Sequence, residues 1–163
     1  MARRSAWRPA RTSRAHTFVR LCAKRDDRTL SDMTTPTRVL VVEDDLAIRN
    51  LLWIMLDQRR YRVSTVADGR AALEVAGTGF DLVLLDIGLP GLNGLEVCRQ
   101  LRARPETARL PIVMLTGRDD PRGVRDGLAA GADDFLTKPF NLVQLMATVE
   151  RVLDSTSERA AGY

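Results

Sequence analysis

The run Phe80-Asp-Leu-Val-Leu-Leu-Asp86-Ile-Gly-Leu-Pro90-Gly91 sets the architecture of the whole chain. Leu82 to Leu85 is a short, continuous apolar stretch, which predicts a strand buried on both faces of a parallel sheet. It ends in a carboxylate and then in Gly88, Pro90 and Gly91, residues that punctuate a loop. In open α/β sheets, ligands sit outside the carboxyl ends of the strands, so Asp86 stands where chemistry is placed. Alone, such an aspartate reads as a helix cap or a loop residue. The ends of the other strands decide otherwise.

Upstream, Arg38-Val-Leu-Val-Val42 reads as a second buried strand with Glu43-Asp44-Asp45 at its carboxyl end. Ile48, Leu51, Leu52, Met55 and Leu56 recur at helical spacing, which predicts an amphipathic helix with those residues inward. Trp53 and Ile54 fall outside that stripe and read equally as the edge of the core or as a docking patch. Tyr61 to Val66 alternates like an edge strand, and Asp68-Gly69 opens a helix to about Ala76. Downstream, Asn93 caps a helix to about Arg104, and Pro111-Ile-Val-Met-Leu115 is a strand closed by Thr116-Gly117. Asp120-Pro121 supplies an N-cap and a first-turn proline for a helix that holds Gly123 and Gly127, shows a thin apolar face of Val124 and Leu128, and ends at Gly131. Asp134 to Thr137 is the last strand, followed by Lys138-Pro139. Leu142, Leu145, Met146, Val149 and Val152 make a closing helix, after which a polar tail begins at Ser155.

Five strands therefore alternate with five helices. Short connections and right-handed crossovers predict an α/β, flavodoxin-like (βα)5 fold: a five-stranded parallel sheet of order 2-1-3-4-5 with helices on both faces. The switch point lies between the first and third strands. Glu43, Asp44 and Asp86 converge there, and Thr116 and Lys138 arrive from the fourth and fifth strands.

A chain of 163 residues, 45% hydrophobic and 28% charged, has the size and composition of one globular domain. No apolar run approaches a membrane span, so no membrane partner is expected. Cys22 and Cys98 make no disulfide framework; Cys98 shares helical spacing with Leu95 and Leu101 and reads as core, and a reducing cytoplasm is the expected compartment. The net charge of +4 is unevenly spread: residues 1–32 hold nine basic residues against three Asp, so this segment carries +6 and the remainder −2. Such an arm reads as a nucleic-acid or membrane-binding segment, a targeting segment, a start placed upstream of Met33, or a disordered extension without function. Of 23 Arg and two Lys, the one lysine after residue 24 is Lys138. A compact ammonium on a flexible stem differs from a guanidinium, and chemistry explains its place better than chance does.

Three carboxylates at one point repel each other unless a cation or a proton relieves them. Hard oxygen donors without His or Cys suit Mg²⁺ or Mn²⁺ rather than zinc. Such a cation, with Thr116 and Lys138, suits phosphoryl oxygens, and Asp86 suits an in-line nucleophile that would become an aspartyl phosphate. No GxxxxGK[ST] loop is present, so nothing points to nucleotide binding.

Val41-Val-Glu43-Asp44-Asp45, Asp86-Ile-Gly-Leu-Pro90-Gly-Leu-Asn-Gly94, Leu115-Thr116-Gly117 and Gly131-Ala-Asp-Asp-Phe135-Leu-Thr-Lys138-Pro139-Phe140 together resemble the receiver domain of bacterial two-component response regulators. The likeness covers about residues 37–154. It implies Asp86 as phosphoacceptor from a sensor histidine kinase or a histidine phosphotransfer protein. It implies Mg²⁺ on Asp44, Asp86 and the backbone carbonyl of Gly88, with Glu43 acting largely through water. Thr116 and Phe135 match the switch pair, and Lys138 the phosphate-contacting lysine, with a cis bond to Pro139. The domain would assist its own phosphorylation and dephosphorylation, and signal to a separate downstream protein.

The closing helix resembles the transcription-factor branch, where a Glu and an Arg serve dimer salt bridges; here those positions hold Gln144 and Thr148, which argues against dimerisation through that face. The organisation expected is a basic, disordered extension over 1–36, a stand-alone receiver over 37–154 and a flexible tail over 155–163. Two other functional classes compete. A haloacid-dehalogenase-like phosphatase would carry its nucleophile on the first strand with a second Asp two residues on, whereas Gly88 occupies that place after Asp86. A nucleic-acid binder would use the basic arm; the acidic balance of the folded part argues against direct DNA binding.

Overall fold

A computed structural model describes residues 36–59, 61–117 and 121–160. The arm readings, Cys22 and the Asp120 cap lie outside these residues. The order is β1 (Arg38–Val42), α1 (Leu46–Asp57), β2 (Arg62–Val66), α2 (Gly69–Val75), a single 3-10 turn (Ala76–Thr78), β3 (Leu82–Asp86), α3 (Gly94–Ala103), β4 (Ile112–Gly117), α4 (Pro121–Ala129), β5 (Asp134–Lys138) and α5 (Leu142–Ala160). All strand pairs are parallel, in the order β2-β1-β3-β4-β5. The predicted architecture and strand order are therefore observed.

The central strands show why their sequences lack alternation. Leu40, Val42, Val83, Leu85, Ile112 and Met114 face one core, against Ala71, Ala72 and Leu73 of α2, Val97, Cys98 and Leu101 of α3, and Ala130 at the end of α4. Their neighbours Val39, Val41, Leu82, Leu84, Val113 and Leu115 face a second core, against Leu52 and Leu56 of α1 and Leu145, Met146, Val149 and Val152 of α5. Successive side chains point to opposite faces, so a strand covered on both sides is apolar at every position. β2 lies at the sheet edge, and most of its residues are only partly buried.

Caps fix the helix starts. Asp45 Oδ1 accepts from the Ala47 and Ile48 N–H groups, Asp68 Oδ1 from Ala71 N–H, and Asn93 Oδ1 from Glu96 N–H. At α5, Asn141 Oδ1 accepts from Gln144 N–H while Gln144 Oε1 accepts from Asn141 N–H, a reciprocal capping box. Gln144 thus serves its own helix, and Thr148 is buried.

Three expectations need correction. Leu51 is 42% exposed: α1 buries the Leu52–Leu56 side, and Leu51 lies off it. Leu128 is 47% exposed, so the buried side of α4 is thinner still. It is built on Gly127, where an added Cβ would stand 3.2 Å from Met114 Cγ. α5 does not stop near Asp154 but continues to Ala160; within this stretch the Ser155 and Thr156 hydroxyls donate to the Val152 carbonyl and Ser157 to that of Leu153, so these polar side chains find partners on the helix itself. Phe135 is 37% exposed and stands outward. Among the described residues, no helix is long and apolar enough to cross a membrane.

Candidate functional site

The carboxyl edge of the sheet gathers the acidic residues. β1 and β3 pair through Val42 and Leu85, so Glu43 and Asp44, just past β1, meet Asp86, the last residue of β3. One carboxylate oxygen from each of Glu43, Asp44 and Asp86 lies within 4.8 Å of the others. Glu43 is 1% exposed and Asp86 7%, whereas Asp44 stands at the open side.

Lys138, the last residue of β5, reaches across to this cluster. Its Nζ donates to Glu43 Oε2 at 2.6 Å and to Asp86 Oδ1 at 2.8 Å. Burial alone would lower the lysine pKa, but the hydrogen bonds to Asp86 and Glu43 outweigh it and hold the ammonium above its ordinary value. Burial pushes Glu43 up; the Lys138 hydrogen bond opposes this, and the Asp86 charge adds to it. Asp45 is held below its ordinary value by the N–H groups of Ile48 and Ala47; it caps α1 and is not one of the three clustered carboxylates.

The remaining candidates surround this centre. Gly88 is exposed in the loop after β3, and a Cβ there would stand 3.3 Å from Asp86 Oδ2; the absent side chain keeps that oxygen open. Thr116 is buried near the end of β4, the strand next to β3, and its hydroxyl lies a long 3.4 Å from the Gly117 carbonyl. Such a contact binds the hydroxyl weakly. Phe135 is paired with Met114, two residues before the Thr116–Thr137 pair, so it is a neighbour of Thr116 rather than of the carboxylates. The Lys138–Pro139 bond is cis.

Two further residues shape the site without having been singled out for it. At Gly94 a Cβ would stand 2.1 Å from the Asp86 carbonyl oxygen, so only glycine lets α3 approach the back of Asp86. A glycine directly after a capping Asn is the signal for it, since the first helical turn otherwise accepts most residues. Arg49 in α1 donates from Nη1 to the carbonyl oxygens of Glu43, at 2.6 Å, and Asp44, at 3.1 Å. In sequence an arginine there reads as a solvated helix face.

Comparison with known proteins agrees with this geometry. The family model described as the response regulator receiver domain matches residues 39–150. The chain belongs to the response regulator receiver domains. The receiver is 44% identical over 117 residues to the phosphate regulon transcriptional regulatory protein PhoB of Rhizobium meliloti, covering 71% of this chain and 52% of that protein; it spans about half the length of that relative. Among solved structures, it is similar to a putative response regulator from Chloroflexus aurantiacus (TM-score 0.71, 35% identity, 74% of this chain and 99% of that one). It is also similar to the receiver domain of the sensor histidine kinase PA1611 from Pseudomonas aeruginosa, which has a magnesium ion coordinated in its active-site cleft (TM-score 0.68, 34% identity, 74% of this chain and 99% of that one). The receiver is thus a signalling module of two-component systems rather than an enzyme with a separate substrate.

Proposed function

We propose that the receiver accepts a phosphoryl group on Asp86 from a sensor histidine kinase or a histidine phosphotransfer protein. The observation that carries this reading is the pairing of Lys138 with Asp86 Oδ1 inside a three-carboxylate cluster. Lys138 turns one oxygen of Asp86 inward, and Oδ2 beside Gly88 is left as the nucleophile. Its lone pair forms the bond to phosphorus, the bond from phosphorus to the donor nitrogen breaks, and an acyl phosphate results. Lys138 then pairs with a phosphoryl oxygen and Thr116 donates a hydrogen bond to another.

The donor set fits a hard divalent cation: clustered carboxylate oxygens, open on one side, with no nitrogen or sulfur ligand within the set. Asp44, Asp86 and the Gly88 carbonyl are the proposed ligands of Mg²⁺ or Mn²⁺, with Glu43 acting through water. When bound, the cation offsets carboxylate and phosphoryl charge. Movement of Thr116 toward the phosphoryl group would vacate space beside β5, and Phe135, now outward, would turn into it. That rearrangement, read by a downstream protein, is the proposed output, and residues 37–154 are the unit that performs it.

With Mg²⁺ and a small phosphodonor, the protein is expected to gain an acid-stable, base-labile phosphate that Asp86→Ala lacks. Full labelling of that variant would place the nucleophile elsewhere.

A further inference from the structure

Glu43 and Asp44 lie just past Val42, where the β1 ladder ends. The segment that bears them is pushed outward by its own chemistry, since two of the three mutually repelling carboxylates are on it. Its restraints include the Glu43 N–H bond to Val66 O at 3.2 Å, the Asp45 N–H bond to Glu43 Oε1 at 3.3 Å, and the Lys138 bond to the Glu43 side chain. Arg49 adds a different kind of restraint. It sits in the first turns of α1, where its own N–H bonds Asp45 O at 2.9 Å. Its guanidinium folds back over the loop, and a single Nη1 donates to the carbonyls of two successive peptides, Glu43–Asp44 and Asp44–Asp45. The side chain therefore fixes the two peptide planes on either side of Asp44 relative to α1, and with them the directions in which both carboxylates leave the backbone.

We propose that Arg49 is a positioning residue of the cation site, holding the Glu43–Asp44 peptide so that both carboxylates face Asp86 before the metal arrives. This rests on the metal reading above. The competing role, charge compensation alone, has the opposite sign. A cation near the carboxylates opposes a second cation, so a merely electrostatic Arg49 would weaken Mg²⁺ binding, and its removal would tighten it. Positioning predicts that removal loosens binding, because supporting residues of this kind typically change metal affinity by about ten-fold or more.

The experiment is a calorimetric titration of the full chain with Mg²⁺ alone, without phosphodonor, for the native protein, Arg49→Lys and Arg49→Gln. Arg49 is absent from both apolar cores, so both variants are expected to fold; melting checks this. Lys keeps the charge on a shorter stem without the planar fork, and Gln removes the charge. Both are expected to bind Mg²⁺ about ten-fold more weakly, and amide exchange at Asp44 and Asp45 in metal-free protein is expected to quicken. Tighter binding by Arg49→Gln with native-like binding by Arg49→Lys would make the role electrostatic and overturn the proposal. Native affinity in both, with only a lower melting temperature, would reduce Arg49 to a packing residue. A native protein that shows no Mg²⁺ response would instead overturn the metal reading, and this proposal with it.

Discussion

At the Asp86 carboxylate, repulsion from Glu43 and Asp44 competes with attraction to Lys138. At an effective dielectric of about 20, two repulsions near 5 Å slightly exceed one contact attraction, by on the order of 1 kcal/mol. Asp86→Asn keeps an acceptor for Lys138 and removes the charge, so the metal-free protein is expected to melt higher and respond less to Mg²⁺. A lower metal-free melting temperature would show that the Lys138 pair dominates. The lysine supplies a second test. Its pKa is raised above the ordinary 10.5 by Asp86 and Glu43 against the pull of burial. The folded state therefore keeps the proton that the unfolded chain loses first. The resulting stability is complete below pH 10.5 and fades as pH climbs through the folded value. Tyr61 and Cys98, both raised by burial, push the same way. Arginine stays charged beyond about pH 12, so alkaline melting curves of metal-free Lys138→Arg are expected to fall less steeply than those of the native protein.

At the scale of elements, α4 is the weakly held one. Its outer Leu128 is largely in water, Val124 is half-buried, and Gly127 packs closely on Met114. Two glycines in one helix each cost about 1 kcal/mol against alanine. Such an element opens locally at low free energy. Leu128→Ala is expected to change stability by no more than about 0.5 kcal/mol, whereas Leu52→Ala, in the core beneath α1, is expected to cost about 2–5 kcal/mol. Urea unfolding of both variants checks the contrast, and a comparable loss in the two would mean that Leu128 is packed. α5 shows that composition alone does not end a helix: its last turns are polar, yet it runs to Ala160, with serine and threonine hydroxyls donating to the Val152 and Leu153 carbonyls.

For the molecule as a whole, charge and fold are separable. The +6 of residues 1–32 lies ahead of a sheet that begins at Arg38, and the −2 of the remainder includes the acidic cluster of Glu43, Asp44 and Asp86. A chain starting at Met33 is expected to melt and to accept phosphate as the full chain does; loss of either would assign the arm to the receiver. If the full chain, but not the shortened one, is retained on DNA in a salt-dependent manner, the arm is a nucleic-acid segment.

Periodicity and strand-end residues made most of this legible without coordinates. Unbroken apolar runs at 39–42, 82–85 and 112–115 demand two-sided burial, which parallel strands between helical layers satisfy. The right-handed crossover rule then limits the strand orders, and the order brings Glu43, Asp44, Asp86 and Lys138 together. Those signals are local, since each depends on residues a few positions apart. What the sequence could not determine depends on which atoms lie across a gap. The inward or outward rotamer of Phe135 is set by space beside β4; the exposure of Leu51 and Leu128 by how each helix is rotated on the sheet; the necessity of Gly94 by an Asp86 carbonyl at its back; and the grip of Arg49 by a loop that folds beneath it. Each is a distance between elements, and only packing fixes those distances.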